Sequence, residues 1–142
     1  FAKSEAQLNG FDEAIVLTAG GHIAEGSAEN IFLLRDGKLV TPPITDNILE
    51  GITRKTIIQL AKEQLGIDTV ERSIDRSELY VADEAFFTGT GCQVAAIVEV
   101  DRRPIGEGVM GPTVEKLREV FFKTVRGEIP CYREWCTPVY SR

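Results

Sequence analysis

The stretch His22 to Phe32 (HIAEGSAENIF) concentrates the residues best suited to chemistry. Glu25 and Glu29 stand four apart among Gly26, Ser27 and Ala28, followed by Asn30 and flanked by Ile23 and by Ile31 and Phe32. Small residues let the backbone approach a ligand or another segment closely. A carboxylate in such a place needs a donor or a cation, because burying a bare charge is costly. It can hold a protonated ring nitrogen, accept hydrogen bonds from backbone N–H groups, or cap a helix, and the spacing leaves these open.

A second candidate is Gly51-Ile52-Thr53-Arg54, which opens an amphipathic segment. Free N–H groups at a helix start attract anions, phosphate above all, although plain capping by water satisfies them as well. The third is Thr88-Gly89-Thr90-Gly91, a small polar turn between apolar runs, with Cys92 directly after it. Its hydroxyls and N–H groups could form a small anion nest, or simply a turn. Cys92, Cys131, Cys136 and the single His22 are too scattered for a structural zinc set and read as ordinary thiols and a polar turn histidine. No nucleophile motif accompanies His22. The lysines, Lys3 among them, all lie in polar or helix-surface contexts and read as solvated.

These candidates need a frame. Phe1 to Leu8 has helix-forming composition and stops at Asn9-Gly10. Short apolar runs predict strands at 13–18, 23–25, 30–34 and 38–40, with Asp36-Gly37 as a tight hairpin turn. Asp46 to Gly51 reads as a turn. Ile52 to Leu65 carries Ile57, Leu60, Ala61 and Leu65 at helical spacing and closes at Gly66. Further on, 69–74 reads as one strand, 78–82 as a turn of helix and 93–100 as a buried strand. Thr113 to Val125 predicts a last helix with Val114, Leu117, Val120, Phe121 and Val125 on its apolar face. In the tail, Trp135 and Val139 are expected to cover apolar surface. The sum is one α+β domain of mostly antiparallel strands with a few interspersed helices.

The 142 residues suffice for one domain with a real core, and 43% hydrophobic with 27% charged residues is an ordinary globular balance. A net charge of −6 with mixed signs argues against a nucleic-acid surface. No apolar run reaches the length of a membrane span. Three cysteines without a framework suggest a reducing, cytoplasmic setting. The chain starts at Phe1 and its one methionine is Met110, which suggests part of a longer polypeptide.

With these motifs in order, the chain resembles the branched-chain amino acid aminotransferases, fold-type IV enzymes that use pyridoxal 5'-phosphate (PLP). The resemblance runs through NGFDEAIVL, IAEGSAENIF, DGKLVTPP, ILEGITRKTIIQLA, RSIDRSELYVADEAFFTGTG, VEVDRRPIGEG and GPTVEKL. It implies that Glu25 pairs with the PLP ring nitrogen. Ile52 and Thr53 would hold the phosphate through backbone N–H groups, and the Thr90 hydroxyl would join them. Gly91 and Cys92 would lie in the loop whose backbone meets the substrate carboxylate, with Glu29 and Asn30 bracing the site. Ala28 stands where many relatives have glycine, a mild departure.

The resemblance also implies what these residues lack. The family's Schiff-base lysine lies shortly before the segment matching AKSEA, so Lys3 is not that lysine. Residues 1–142 are therefore expected to be the large C-terminal domain, without the small N-terminal domain and inactive alone. The intact enzyme would move the amino group of leucine, isoleucine or valine to 2-oxoglutarate, working as a homo-oligomer. Two alternatives keep the fold and change the reaction, to a D-amino acid aminotransferase or an aminodeoxychorismate lyase. A third is a non-catalytic ligand-binding or assembly domain.

Overall fold

The computed structural model describes residues 1–140. Its centre is the hairpin of β3 (Asn30–Arg35) and β4 (Lys38–Thr41). Asp36 and Gly37 turn it with φ of 51° and 72°, the doubly positive pair that matches strand twist. β5 (Thr69–Glu71), β7 (Glu84–Gly89) and β8 (Gln93–Ile97) complete a five-stranded sheet in the order β5-β4-β3-β7-β8. Only β4 and β5 run parallel. A parallel pair needs a crossover, and helix α2 (Ile52–Leu65) supplies it. A smaller antiparallel sheet joins β1 (Ile15–Leu17), β2 (His22–Gly26) and β6 (Ile74–Asp75). The remaining elements are α1 (Ala2–Leu8), α3 (Arg76–Leu79), the ribbon of β9 (Glu99–Val100) and β10 (Arg103–Pro104), α4 (Pro112–Val125), and two 3-10 helices at Ile44–Asp46 and Pro130–Trp135. The architecture is the expected α+β domain of mainly antiparallel strands.

The apolar run Ile31-Phe32-Leu33-Leu34 is buried throughout because β3 is covered on both faces. Phe32 and Leu34 meet α2 and α4 through Ile57, Leu60, Ala61, Val114, Leu117 and Phe121. Ile31 and Leu33 face the opposite way, toward Ile23, Ile74 and Leu79. β7 repeats the alternation, with Phe86 stacked on its register partner Phe32 at 5.1 Å and Phe87 in the other cluster. Each buried ring contributes roughly 1.5–3 kcal/mol. The two helices therefore fix one side of the central strands and the small sheet fixes the other.

Several expectations are corrected. Residues 69–74 form two strands in different sheets, β5 and β6, because Arg72 and Ser73 leave the ladder. The short helix begins earlier than expected, at Arg76, where Asp75 and Glu78 make a capping box. The run 93–100 breaks at Val98, and of β8 only Val94 is buried, since one face of this edge strand opens to a groove. In α4 Val125 is 50% exposed, and Thr124 takes its place on the inner face. Helical spacing from Leu117 and Phe121 leads to 124, and Thr124 satisfies its hydroxyl on the Val120 carbonyl at 2.8 Å. Val139 is 84% exposed and covers nothing, while Trp135 packs its ring on Tyr132 at 4.5 Å.

Candidate functional site

Glu25, near the end of β2, is half-buried, and its Oε2 accepts a hydrogen bond from the Leu49 N–H at 3.0 Å. Among the described residues no hydrogen bond reaches its other oxygen, Oε1. The chain turns tightly after Glu25, with the Gly26 N–H donating to the Glu29 carbonyl at 2.6 Å. The Glu29 carboxylate folds back to accept from the Ala28 N–H at 3.0 Å. Gly26 is required here by space, because a Cβ would come within 2.9 Å of both Glu29 Oε2 and the Phe87 ring. Asn30, buried at the start of β3, donates from Nδ2 to the Leu49 carbonyl at 2.7 Å. One residue of the incoming loop, Leu49, is thus held at both its backbone polar groups.

Two residues later that loop becomes α2. Gly51 is its N-cap with ordinary extended backbone, φ −72° and ψ 140°. A Cβ at this position would overlap the Asn30 Oδ1, so glycine is selected by closeness rather than by φ. Gly51 has no side-chain cap to offer the first N–H groups of α2. The later helices α3 and α4 differ. α3 carries its capping box, and the first N–H groups of α4 are met by the buried Glu84, which accepts from Thr113 at 3.0 Å and Val114 at 2.8 Å. The N-terminus of α2 keeps its partial positive charge available.

The β7–β8 turn arrives at the same place. Asn30 is the register partner of Thr88, whose Oγ1 is fully buried and has no hydrogen-bond partner. Thr88 and Gly89 still belong to β7, so the turn itself is Thr90-Gly91-Cys92. A Cβ on Gly89 would touch the Ala28 carbonyl at 3.3 Å and Cys92 Sγ at 3.6 Å, which shows how closely this turn packs on the 26–29 turn. Thr90 and Gly91 are exposed. Burial, and then the neighbouring Glu29 charge, push the half-buried Cys92 thiol up to about 11.

The fold therefore ties Glu25 and Asn30 to the Ile52–Thr53 helix start through the Leu49–Gly51 segment, and packs the Thr90-Gly91-Cys92 turn against the 26–29 turn that carries Glu29. It leaves others out. His22 opens β2 with Nδ1 2.9 Å from Asp75 Oδ1. Cys131 and Cys136 are free thiols, the latter directed at the Thr124 carbonyl beside the end of α4. Lys3 is exposed and ion-paired with Glu13 at 2.8 Å. An open groove of about 970 Å³ runs alongside, lined by Lys3, Glu13, Glu29, Phe87 and Cys92 among others.

Two buried roles escaped the sequence reading, although Arg54 itself belongs to the Gly51–Arg54 candidate. Arg54, in the first turn of α2, is only 2% exposed and donates to the Pro42 carbonyl at 3.0 Å and to Glu71. Glu84 is the buried cap of α4. Neither carries a local signal, because an Arg in a helix and a Glu before an apolar run are ordinarily solvated.

This constellation combines a carboxylate with one free oxygen and an uncapped helix start, both fixed by the same loop. It suits a ligand with a protonated nitrogen at one end and an anion at the other. Residues 1–100 match the family model for amino-transferase class IV. The chain is similar to the probable branched-chain-amino-acid aminotransferase of Aquifex aeolicus, at 51% identity over 141 residues, covering 99% of this chain and 45% of that protein. The branched-chain-amino-acid aminotransferase of Pseudomonas aeruginosa is 50% identical over 138 residues, covering 97% and 44%. The solved PLP form of the branched-chain amino acid aminotransferase from Thermobaculum terrenum superposes with a TM-score of 0.95 at 46% identity, covering 99% of this chain and 46% of that one. The chain spans under half the length of these relatives. Fold, motif order and family match agree: the chain belongs to the class IV aminotransferases.

Proposed function

We propose that these residues are the large-domain, cofactor-binding portion of a branched-chain amino acid aminotransferase. The whole protein would use PLP to pass the amino group of leucine, isoleucine or valine to 2-oxoglutarate. The observation that carries this reading is the uncapped start of α2 held against Asn30 beside a carboxylate with a free oxygen. PLP fits that pair, with an anionic phosphate for the Ile52 and Thr53 N–H groups and a ring nitrogen for Glu25 Oε1. When bound, its pyridinium ring supplies an electron sink for the bonds at the substrate Cα. Glu25 keeps the proton on that nitrogen by placing a negative charge against it. The hydroxyl of Thr90 adds a donor at the phosphate, and the backbone at Gly91 and Cys92 offers N–H groups to a substrate carboxylate. Glu29, turned back on Ala28, braces the turn between them.

Lys3 does not serve as the amine nucleophile. The hydrogen bond and charge of Glu13 raise its pKa, the opposite of the lowering that activates an amine nucleophile. The nucleophilic lysine is assigned instead to a segment preceding the AKSEA match, together with a small domain that closes the substrate pocket, in a homo-oligomer. Calorimetric titration of the chain with PLP and with pyridoxal tests the reading. PLP is expected to bind at least about tenfold more tightly, since each hydrogen bond to a charged group is worth that much. Glu25→Gln should weaken both ligands. Equal affinity for the two would remove the phosphate assignment, and an unchanged Glu25→Gln would remove the ring-nitrogen assignment.

A further inference from the structure

The two ends of the site are joined through a single residue. Leu49 gives its N–H to Glu25 at 3.0 Å and its carbonyl to Asn30 at 2.7 Å. The two hooks come from either side of the tight 26–29 turn, itself closed by the short Gly26–Glu29 hydrogen bond. Asn30 also presses its Oδ1 against Gly51, the residue that starts α2. The Leu49 side chain is 75% exposed, so apolar packing does not hold the segment in place. Between Asp46 and Ile52 no helix or ladder fixes the backbone. Hydrogen bonds do.

We infer that the Leu49 peptide is a strap, gripped by Glu25 and Asn30, which sets the position of the α2 N-terminus relative to the Glu25 carboxylate, and that Asn30 is its positioning residue. The inference rests on the reading of Glu25 and α2 as the two ends of one cofactor site. Asn30 touches no ligand in this arrangement. It acts by holding the Leu49 carbonyl and by filling the space beside Gly51, which together aim the Ile52 and Thr53 N–H groups. Its position on a buried central strand, paired with Thr88, makes it a rigid point of attachment. Without that grip the helix start is free to drift, and the loss falls on the phosphate end more than on the ring.

The test is a comparison of PLP and pyridoxal affinity in the full chain, wild type against Asn30→Ala and Asn30→Asp, with circular dichroism to establish folding. Asn30→Asp keeps the shape, removes the donor to the Leu49 carbonyl and serves if the alanine variant does not fold. The wild-type preference for PLP over pyridoxal should fall by about tenfold in a folded variant, the equivalent of one phosphate hydrogen bond. A merely structural role would lower the melting temperature and leave that preference intact, and that result overturns the inference. A wild type with no preference would instead overturn the cofactor reading beneath it.

Discussion

Removing the Glu84 carboxylate should cost the chain much more than its place in the sequence suggests. The side chain is buried, no cationic side chain pairs with it among the described residues, and both its oxygens accept from the first turn of α4. Its charge is offset by the helix N-terminus, an interaction worth up to about 2 kcal/mol when partly buried. Hydrogen bonds to a charged group contribute roughly 1.5–3 kcal/mol each, though a shared cap does not deliver two full shares. Glu84→Ala is therefore expected to destabilise by about 3 kcal/mol, leaving the Thr113 and Val114 N–H groups without that partner in a tight space. Glu84→Gln keeps one acceptor but points an NH₂ at the other N–H, so about 2 kcal/mol is expected. For a chain of this size 3 kcal/mol corresponds to roughly 10 °C in Tm. Urea unfolding at neutral pH followed by circular dichroism gives both values, and raised salt should change them little because the site is buried. A loss under about 0.5 kcal/mol for Glu84→Ala, the range of ordinary surface changes, would refute the capping argument.

Three further outcomes are expected. Gly51→Ala should destabilise by about 1–3 kcal/mol through overlap with Asn30, since its backbone angles suit alanine; in an Asn30→Ala background the added cost should vanish, whereas additive unfolding energies would disprove the contact. Burial tends to raise the Glu13 carboxyl, but hydrogen bonds from Lys3, Ser27 and the Ala14 N–H outweigh it and hold it at about 2, against an ordinary 4.5. The folded-state pKa is lowered, so its stabilisation is complete above about pH 4.5 and lost as pH falls toward 2; Glu13→Gln should flatten that acid limb of the urea midpoint, and an unaltered limb would contradict the assignment. With its thiol near 11, Cys92 is about one part in a thousand thiolate at pH 8, so iodoacetamide should modify the exposed Cys131 first by peptide mass mapping; Cys92 reacting first would contradict its burial.

Local chemistry made much of this legible in advance. Asp36-Gly37 marks its hairpin because few pairs tolerate two positive φ angles, and Gly66 marks the end of α2 for the same reason. The unbroken run at 31–34 and the spacing of Ile57, Leu60 and Ala61 declare buried faces, since apolar periodicity is what burial requires. Where a residue's environment depends on distant partners, sequence reasoning failed. Val125 and Thr124 are both compatible with a helix face, and only the angle at which α4 meets α2 and the sheet decides between them. The division of 69–74 between two sheets likewise depends on which strand ends are free to pair.

The site divides along the same line. The sequence by itself determined the ingredients: Glu25 and Glu29 among small residues, a glycine before a helix, a Thr-Gly turn, and enough ordered motifs to indicate the family. Only the tertiary structure decided that Leu49, an unremarkable residue in a loop, is gripped by Glu25 and Asn30 and so joins the first ingredient to the second. It also decided that Gly51 is glycine for lack of room, and that Arg54 and Glu84 lie buried with partners far along the chain. The physical reason is range: backbone preference and periodicity act over a few residues, whereas hydrogen bonds such as Glu25–Leu49 and Glu84–Thr113 exist only once separate elements have packed.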